Sequence, residues 1–304
     1  ARVEGANTET ARAQLLLAVS ATYFGAQQAQ SVLRVVGQTV TNRQVLVDQV
    51  SALAKNQLKS DLDVSFARVS LEEARLLQLR ARNDLEASFT ALDTLLGGRE
   101  PRRYDLVEEP LPADLSNDAS ALVADALRLR PELERFRAER DGALKLARAD
   151  NALRYPTLSA LAGIGVTPVH DLRVEETYAS AGLILSLPLY TGGRDTARQK
   201  EAELKAKAAE EGLKDEENNV IRDVRLAFLR AQHAHERLAL TAKLLTHART
   251  AHDLATARYK LGASSITDLN QAQLNLTAAE IAQAAAKYDY LLQRALLDFQ
   301  RGVR

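Results

Sequence analysis

Two aspartates, Asp63 and Asp268, stand three residues after two serines, Ser60 and Ser265. Each Ser–Asp pair follows a short break between long helix-patterned segments. A serine there caps the free N–H groups of the returning helix, and a carboxylate in the first turn interacts favourably with its positive end. These aspartates are the candidates for functional chemistry. The histidines are weaker. His233, His235, His247 and His252 are spaced by two, twelve and five residues, and none of these spacings puts a pair on one helix face, where three or four is needed. They read as solvated side chains. There is no HExxH, phosphate-binding loop, nucleophile elbow or GxGxxG. Cysteine is absent, so neither a disulfide framework nor a thiolate metal site is expected. The expectation is a protein without catalytic residues, metal or cofactor.

The elements that position the aspartates are written twice. Residues 19–97 and 224–302 align without a gap at a constant offset of 205, since 268 − 63 = 205. Val19 matches Val224, Gln27 matches Gln232, Leu33 matches Leu238, Asp48 matches Asp253, Lys55 matches Lys260, Asp84 matches Asp289, and Gly97 matches Gly302. About a quarter of the positions are identical, too many for chance in a gapless stretch of this length. A repeat of this kind decides architecture before any local motif does.

Composition agrees with a helical repeat. The chain has 304 residues, 46% of them hydrophobic but only 5% aromatic, with 26% charged. Alanine and leucine with many charges indicate long helices or coiled coils. The formal net charge is zero, which argues against nucleic acid as a partner. Methionine is absent, so the N-terminus is expected to be processed or missing, with any targeting signal out of sight. No apolar run approaches the ~20 residues of a membrane helix.

Along the chain, residues 7–57 read as one long helix, with a second running from the turn to about Leu96. Gly97-Gly98 stops it. Residues 99–118 are irregular, with Pro101, Pro110 and Pro112. Ser120–Leu153 reads as one helix, or as two broken near Pro131. Then the period changes to two, which means strands. In Thr157–Val166, Leu158, Ala160, Ala162, Ile164 and Val166 share one side. In Tyr178–Tyr190, Ala179, Ala181, Leu183, Leu185, Leu187 and Leu189 do the same. Each segment has about the length that crosses a bilayer as a tilted strand. The polar link of His170, Asp171, Arg173, Glu175 and Glu176 suits an exposed loop. A soluble hairpin lying on a core fits the alternation equally well, but two strands alone are marginal in water.

Thr196–Leu261 is helical again, Gly262 breaks it, and Ile266–Arg301 returns. The return helix carries two apolar rows. One is Leu269, Ala272, Leu276, Ala279, Gln283, Ala286 and Tyr290. The other is Leu274, Ala278, Ile281, Ala285, Tyr288, Leu292, Ala295 and Phe299. The rows differ by two residues, about 200° at ~100° per residue. A two-helix coiled coil needs one seam; a helix in the wall of a ring needs two.

Several motifs carry a resemblance. They are Arg130-Pro131-Glu132-Leu133, Tyr155-Pro156-Thr157-Leu158, Pro188-Leu189-Tyr190-Thr191-Gly192-Gly193, and Arg258-Tyr259-Lys260-Leu261-Gly262 followed by Ser265-Ile266-Thr267-Asp268-Leu269. In this order and spacing, over nearly the whole chain, the sequence resembles the TolC-type outer membrane factors. That resemblance implies a mainly α fold with a small β part. Long antiparallel helical hairpins of an internal repeat would form a periplasmic α-barrel, and strand hairpins would contribute to a trimeric outer-membrane β-barrel. The expected divisions are 1–98 for the first helical hairpin, 99–153 for an equatorial connector and helix, 154–193 for the strand hairpin, and 194–304 for the second helical hairpin. By the 205 offset, a first strand pair is expected to precede Ala1.

The resemblance further implies a passive export duct in the bacterial outer membrane, extending into the periplasm. It would be a homotrimer in contact with outer-membrane lipid, with no cofactor. Its partners would be a periplasmic adaptor protein and, through it, an inner-membrane pump. Asp63, Asp268 and Tyr259 match positions at the pore aperture; in a trimer the aspartates become a ring of six carboxylates, which repels anions and attracts cations. A basic partner seen in some relatives corresponds to Ser264, which puts a salt-bridged lock there in doubt. The turns Lys55, Asn56, Gln57, Leu58, Lys59, Ser60 and Lys260, Leu261, Gly262, Ala263, Ser264, Ser265 would meet the adaptor. Gln57 stands where the second turn has Gly262, so the first turn is expected to be less open. The competing reading is a soluble periplasmic helical tether without a pore, whose strand hairpin packs on its own helices.

Overall fold

A computed structural model describes residues 2–98, 102–108, 110–112, 118–152, 154–166 and 177–303. The polar link from His170 to Glu176 lies outside them. In chain order the elements are α1 (Arg2–Lys55), α2 (Asp61–Leu95), α3 (Ser120–Leu129), α4 (Pro131–Ala152), β1 (Thr157–Val166), β2 (Thr177–Ser186), α5 (Arg194–Lys260) and α6 (Ile266–Arg301). Their alanine, leucine, arginine and glutamate content favours helix throughout. α1 begins before the expected residue 7 and ends at Lys55. The segment after residue 120 is two helices. Arg130 takes an extended ψ of 125°, the conformation favoured before proline, and Pro131 opens α4, where its missing N–H is harmless.

The described residues fall into two units. One holds residues 131–219 with the first residues of α1. In it α4 packs on the start of α5 through Ala143, Ala147, Ala202 and Ala206, and Arg198 pairs with Asp150 at 2.9 Å. β1 and β2 pair antiparallel, Thr157 opposite Ser186 and Val166 opposite Thr177. The register matches the sequence pattern: Leu158 faces Leu185, Ala160 faces Leu183 and Ala162 faces Ala181. β2 stops at Ser186, short of the expected Tyr190. Thr157 begins β1, so residues beyond 186 have no partner, and Pro188 has no N–H to give to a ladder. Tyr178 lies over Gly165, where any Cβ would sit 2.5 Å from its ring. Both strands are exposed along almost their whole length on both faces. Ile164 is 89% exposed.

The other unit holds residues 8–130 and 220–304, and there the repeat is visible as packing. Ala26 and Ala231, Ala74 and Ala279, Ala81 and Ala286, and Leu92 and Leu297 are equivalent pairs, and every member is buried. Small side chains at matched points allow close helix approach twice. α2 and α6 also end alike. Gly97 and Gly302 have φ of 73° and 76°, the left-handed conformation that glycine adopts without penalty. The next residue then donates back into the last turn, Gly98 N–H to Asp93 O at 2.8 Å and Val303 N–H to Asp298 O at 3.1 Å. This is a Schellman ending.

The connector is pinned to this unit. Asp93 accepts from the Tyr104 hydroxyl and from the Arg102 N–H, which together hold its carboxyl below the usual range. The Val107 carbonyl accepts from Tyr23 Oη at 2.8 Å and Gln27 Nε2 at 2.5 Å. Glu108 accepts from Tyr288 Oη at 3.1 Å and pairs with Lys287 at 3.4 Å. Burial, with the Glu108 carboxylate adding to it, pushes the Tyr288 phenol up to about 12. α3 docks Ala119 and Leu122 on Ala227, Phe228, Ala231 and Leu297, and Arg301 reaches Asp125 at 3.0 Å.

The two rows of α6 behave differently along their length. Leu269, Ala279, Ala286 and Tyr290 of the first row are buried. In the second row Tyr288 is buried, while Leu274 and Ala278 near the turn are exposed.

Gly302 also lies against α3: a Cβ there would stand 3.0 Å from the Leu129 carbonyl carbon, whereas one at Gly262 meets nothing within 4 Å. Gly262→Ala is therefore expected to cost about 1 kcal/mol from its left-handed φ alone. Gly302→Ala should cost about 3 kcal/mol, because crowding adds to the same φ penalty. Denaturant unfolding of the two variants measures the difference; equal losses would remove the close approach as a cause.

Candidate functional site

The two turns that join α1 to α2 and α5 to α6 share one backbone design. Leu58 N–H donates to Leu53 O at 2.9 Å and Gln57 N–H to Ala54 O at 2.9 Å; the matching bonds are Ala263 to Arg258 at 2.8 Å and Gly262 to Tyr259 at 3.0 Å. Both are Schellman motifs with a left-handed residue at the first position past the cap. That residue is Gly262 (φ 73°) in one turn and Gln57 (φ 61°) in the other. Gln57, expected to leave the first turn less open, adopts the glycine conformation and keeps the same hydrogen-bonded path. The cost falls on Gln57, since a left-handed L-residue is strained by about 1 kcal/mol.

Each return helix then opens with a reciprocal cap. Ser60 Oγ accepts from the Asp63 N–H at 3.2 Å, and the Ser60 N–H donates to Asp63 Oδ2 at 3.1 Å. Ser265 and Asp268 repeat this at 3.1 Å for both bonds. This is the capping box, with aspartate in place of the commoner glutamate. Each serine hydroxyl also reaches the same carboxylate oxygen, at 3.0 Å for Asp63 and 2.8 Å for Asp268. The Ser265 hydroxyl and N–H, with a smaller contribution from Arg258, hold the Asp268 carboxyl below the usual range. The aspartates are thus structural caps, with Asp63 half-buried and Asp268 exposed to solvent.

Between the turns lies a small apolar cluster of Val50, Val64, Tyr259, Ile266 and Leu269, with Leu46, Ala54 and Ala255 around it. It brings all four helix ends together. Tyr259 is in this cluster, 6% exposed, rather than on the open surface, and its hydroxyl has no hydrogen-bond partner among the described residues. Burial raises its phenol pKa, and the Asp63 charge adds to the shift. Lys59 arches over the ring, its ammonium 4.1 Å from the centroid. Ser264 is half-buried, and its hydroxyl has no partner among the described residues. Lys55, Asn56, Gln57, Ser60, Lys260, Gly262, Ala263 and Ser265 are exposed. So are two apolar side chains at the tips, Leu58 at 69% and Leu261 at 83%.

Two features escape a reading of the sequence. Arg43 is buried, donates to the Ser70 carbonyl and lies 3.8 Å from Glu73; burial lowers its pKa against the Glu73 charge. A signal exists, since Arg43 continues the three-and-four row of Val36, Thr39, Val47 and Val50. The pinning of the connector by Val107 and Glu108 has no signal, because an irregular proline-rich segment has no period to read.

Capped helical hairpins, written twice and accompanied by an exposed strand pair, define a class: a long-helix repeat protein with a bare β-hairpin. The model of the outer membrane efflux protein family matches residues 122–302, and the chain belongs to that family. Its location is therefore the bacterial outer membrane. Outer membrane protein TolC of Escherichia coli is 24% identical over 312 aligned residues, covering 97% of this chain and 62% of TolC. The alkaline protease secretion protein AprF of Pseudomonas aeruginosa is 26% identical, covering 95% of this chain and 62% of AprF. The chain thus spans less than two thirds of these relatives. The solved outer-membrane channel OprN superposes with a TM-score of 0.86 at 20% identity, covering 100% of this chain and 69% of OprN. At that identity the likeness establishes the fold: mainly helical, with a small antiparallel strand part.

Gln57→Gly is expected to stabilise the first turn by about 0.5–1 kcal/mol, net of the larger unfolded-state freedom of glycine. Denaturant unfolding reads this directly, and a loss of stability would contradict the strain assignment. At the second turn, Ser265→Ala should cost about 1 kcal/mol. Because the folded Asp268 carboxyl sits below its unfolded value, its contribution is complete above the unfolded pKa and fades as pH falls through the folded one. Amide exchange at residues 265–269 should accelerate in acid more than in the centre of α6; equal acceleration would contradict the cap.

Proposed function

We propose that the chain is a wall subunit of an outer-membrane export duct, a homotrimer that conducts cargo without chemistry. The observation that carries this reading is uncovered apolar surface in two forms. The β1–β2 hairpin has leucines, valine and isoleucine bare on both faces. A two-stranded sheet exposed in this way is not stable in water, and its open edges are not stable in lipid; neighbouring strands and acyl chains satisfy both. The long helices carry a second form. On α2, Leu62, Phe66, Val69, Leu76 and Leu79 are exposed in a row, and on α5 so are Leu226, Leu240, Leu244 and Leu254. Exposed rows of this extent mark association surfaces. Helices flanked on two sides close into a ring, which is the wall geometry. The soluble tether needs the hairpin laid on its own helices, and the hairpin is bare.

In the trimer, Asp63 and Asp268 make six carboxylates around the narrow end of the duct, with Tyr259 behind them. The turns Lys55–Ser60 and Lys260–Ser265 are the surface offered to a periplasmic adaptor, which links the duct to an inner-membrane pump. Water-exposed Leu58 and Leu261 at these tips support contact with a partner, and the small Gly262, Ala263 and Ser264 allow close backbone approach. One relative is named for protease secretion.

The test is conduction by the full-length protein in planar bilayers. Asp63→Asn with Asp268→Asn keeps the side-chain shape while removing the charge ring. Cation preference should fall at least severalfold and conductance should rise, as expected when a like-charged ring is neutralised. Unchanged selectivity and conductance would take the aspartates out of the aperture, and absence of any conducting state in the unmodified protein would overturn the duct.

A further inference from the structure

The contact between Lys59 and Tyr259 is made once per chain, although the turns around it are repeated. At the offset of 205, Tyr259 corresponds to Ala54 and Lys59 to Ser264. The first hairpin therefore supplies only the cation, and the second only the ring. The ammonium stands 4.1 Å from the ring centroid, well inside the ~6 Å at which a cation is held by the negative face of an aromatic ring. Lys59 is half-buried and Tyr259 buried, so solvent screening is reduced. The Tyr259 hydroxyl, by contrast, has no hydrogen-bond partner among the described residues. Among those residues, no hydroxyl bond from Tyr259 joins the tips.

We infer that Lys59 is a positioning residue that ties the first hairpin tip to the second through the face of the Tyr259 ring, independently of the tyrosine hydroxyl and of the capping aspartates. Both hairpin ends converge on the cluster of Val50, Val64, Tyr259, Ile266 and Leu269. Those apolar contacts have little directional preference, whereas a cation over a ring is specific in distance and placement. Lys59 thereby sets the separation of the two tips. Under the duct reading, on which this consequence rests, three such ties hold the paired tips together around the narrow end. An aromatic ring and a cation that part when the tips separate both become available to solvent or to a docked partner.

The chain has no cysteine, so cysteines introduced at the exposed positions 56 and 261 can carry spin labels on the two tips of the full-length protein. In trimers assembled with an excess of unlabelled subunits, the distance distribution between the two labels should be narrow in the unmodified protein. Lys59→Gln and Tyr259→Leu should each broaden it and lengthen its mean. Lys59→Arg and Tyr259→Phe should keep it narrow, since a guanidinium still stacks and a phenyl ring still presents its face. Broadening by Tyr259→Phe equal to that by Tyr259→Leu would assign the tie to the hydroxyl and overturn the inference. So would an unchanged distribution in Lys59→Gln. Conductance adds the second readout: Lys59→Gln removes all three ties and should raise the open fraction at least about fivefold, the scale of a single partly shielded cation–ring contact. A broadened distribution with an unaltered open fraction would uphold the tie and overturn its effect on the narrow end, whereas no conduction by the unmodified protein would count against the duct reading, which separates the two.

Discussion

Long helices must cover their apolar faces, and in this protein that requirement is only partly met within one chain. Alanines at repeat-equivalent points, Ala26 with Ala231 and Ala74 with Ala279, let helices approach closely, so the inner rows are sealed. The rows on α2 and α5 and both faces of the strand pair stay bare. At ~25 cal/mol per Å² of apolar surface, leaving whole rows of leucine in water costs several kcal/mol. Association removes that cost. Under the proposed trimer, neighbouring copies and lipid would cover what one copy leaves bare.

The repeat builds both helical hairpins from one design used twice. A helix ends in a Schellman turn, a serine–aspartate box starts its partner, and a left-handed glycine ends that partner. Each local device answers a specific backbone need, the orphan carbonyls and amides of helix ends. Divergence between the copies then marks where function differs from scaffold. Gln57 departs from glycine but keeps its backbone, so that difference is a tolerated strain. Lys59 and Tyr259 depart from Ser264 and Ala54 and meet each other, so that difference joins the two copies. The connector between the copies is fixed at Val107 and Glu108 by groups from distant sequence, and at Arg102 and Tyr104 by Asp93 of α2.

The helices, the strand pair and the caps are legible in the sequence because each has a period or a stop signal: three and four for helices, two for strands, serine and glycine at the ends. Ends are less legible. β2 stops four residues early because its partner has run out, a fact of pairing that the alternation of Leu187 and Leu189 cannot reveal. The spacing places the aspartates at the helix starts, and their dual bonds to serine follow from that spacing alone. Tyr259 is buried in the apolar cluster between the turns; turn motifs do not say which way a ring folds. Arg43 sits in plain view on a buried row, yet a charged residue reads as a surface residue until its neighbours are known.

The most direct test of the account is the mass of the full-length protein extracted from membranes in mild detergent, measured by native mass spectrometry. The predicted result is three copies per particle, dissociating when the exposed α2 leucines Leu76 and Leu79 are replaced by glutamate. A single copy that remains soluble and folded without detergent would contradict it.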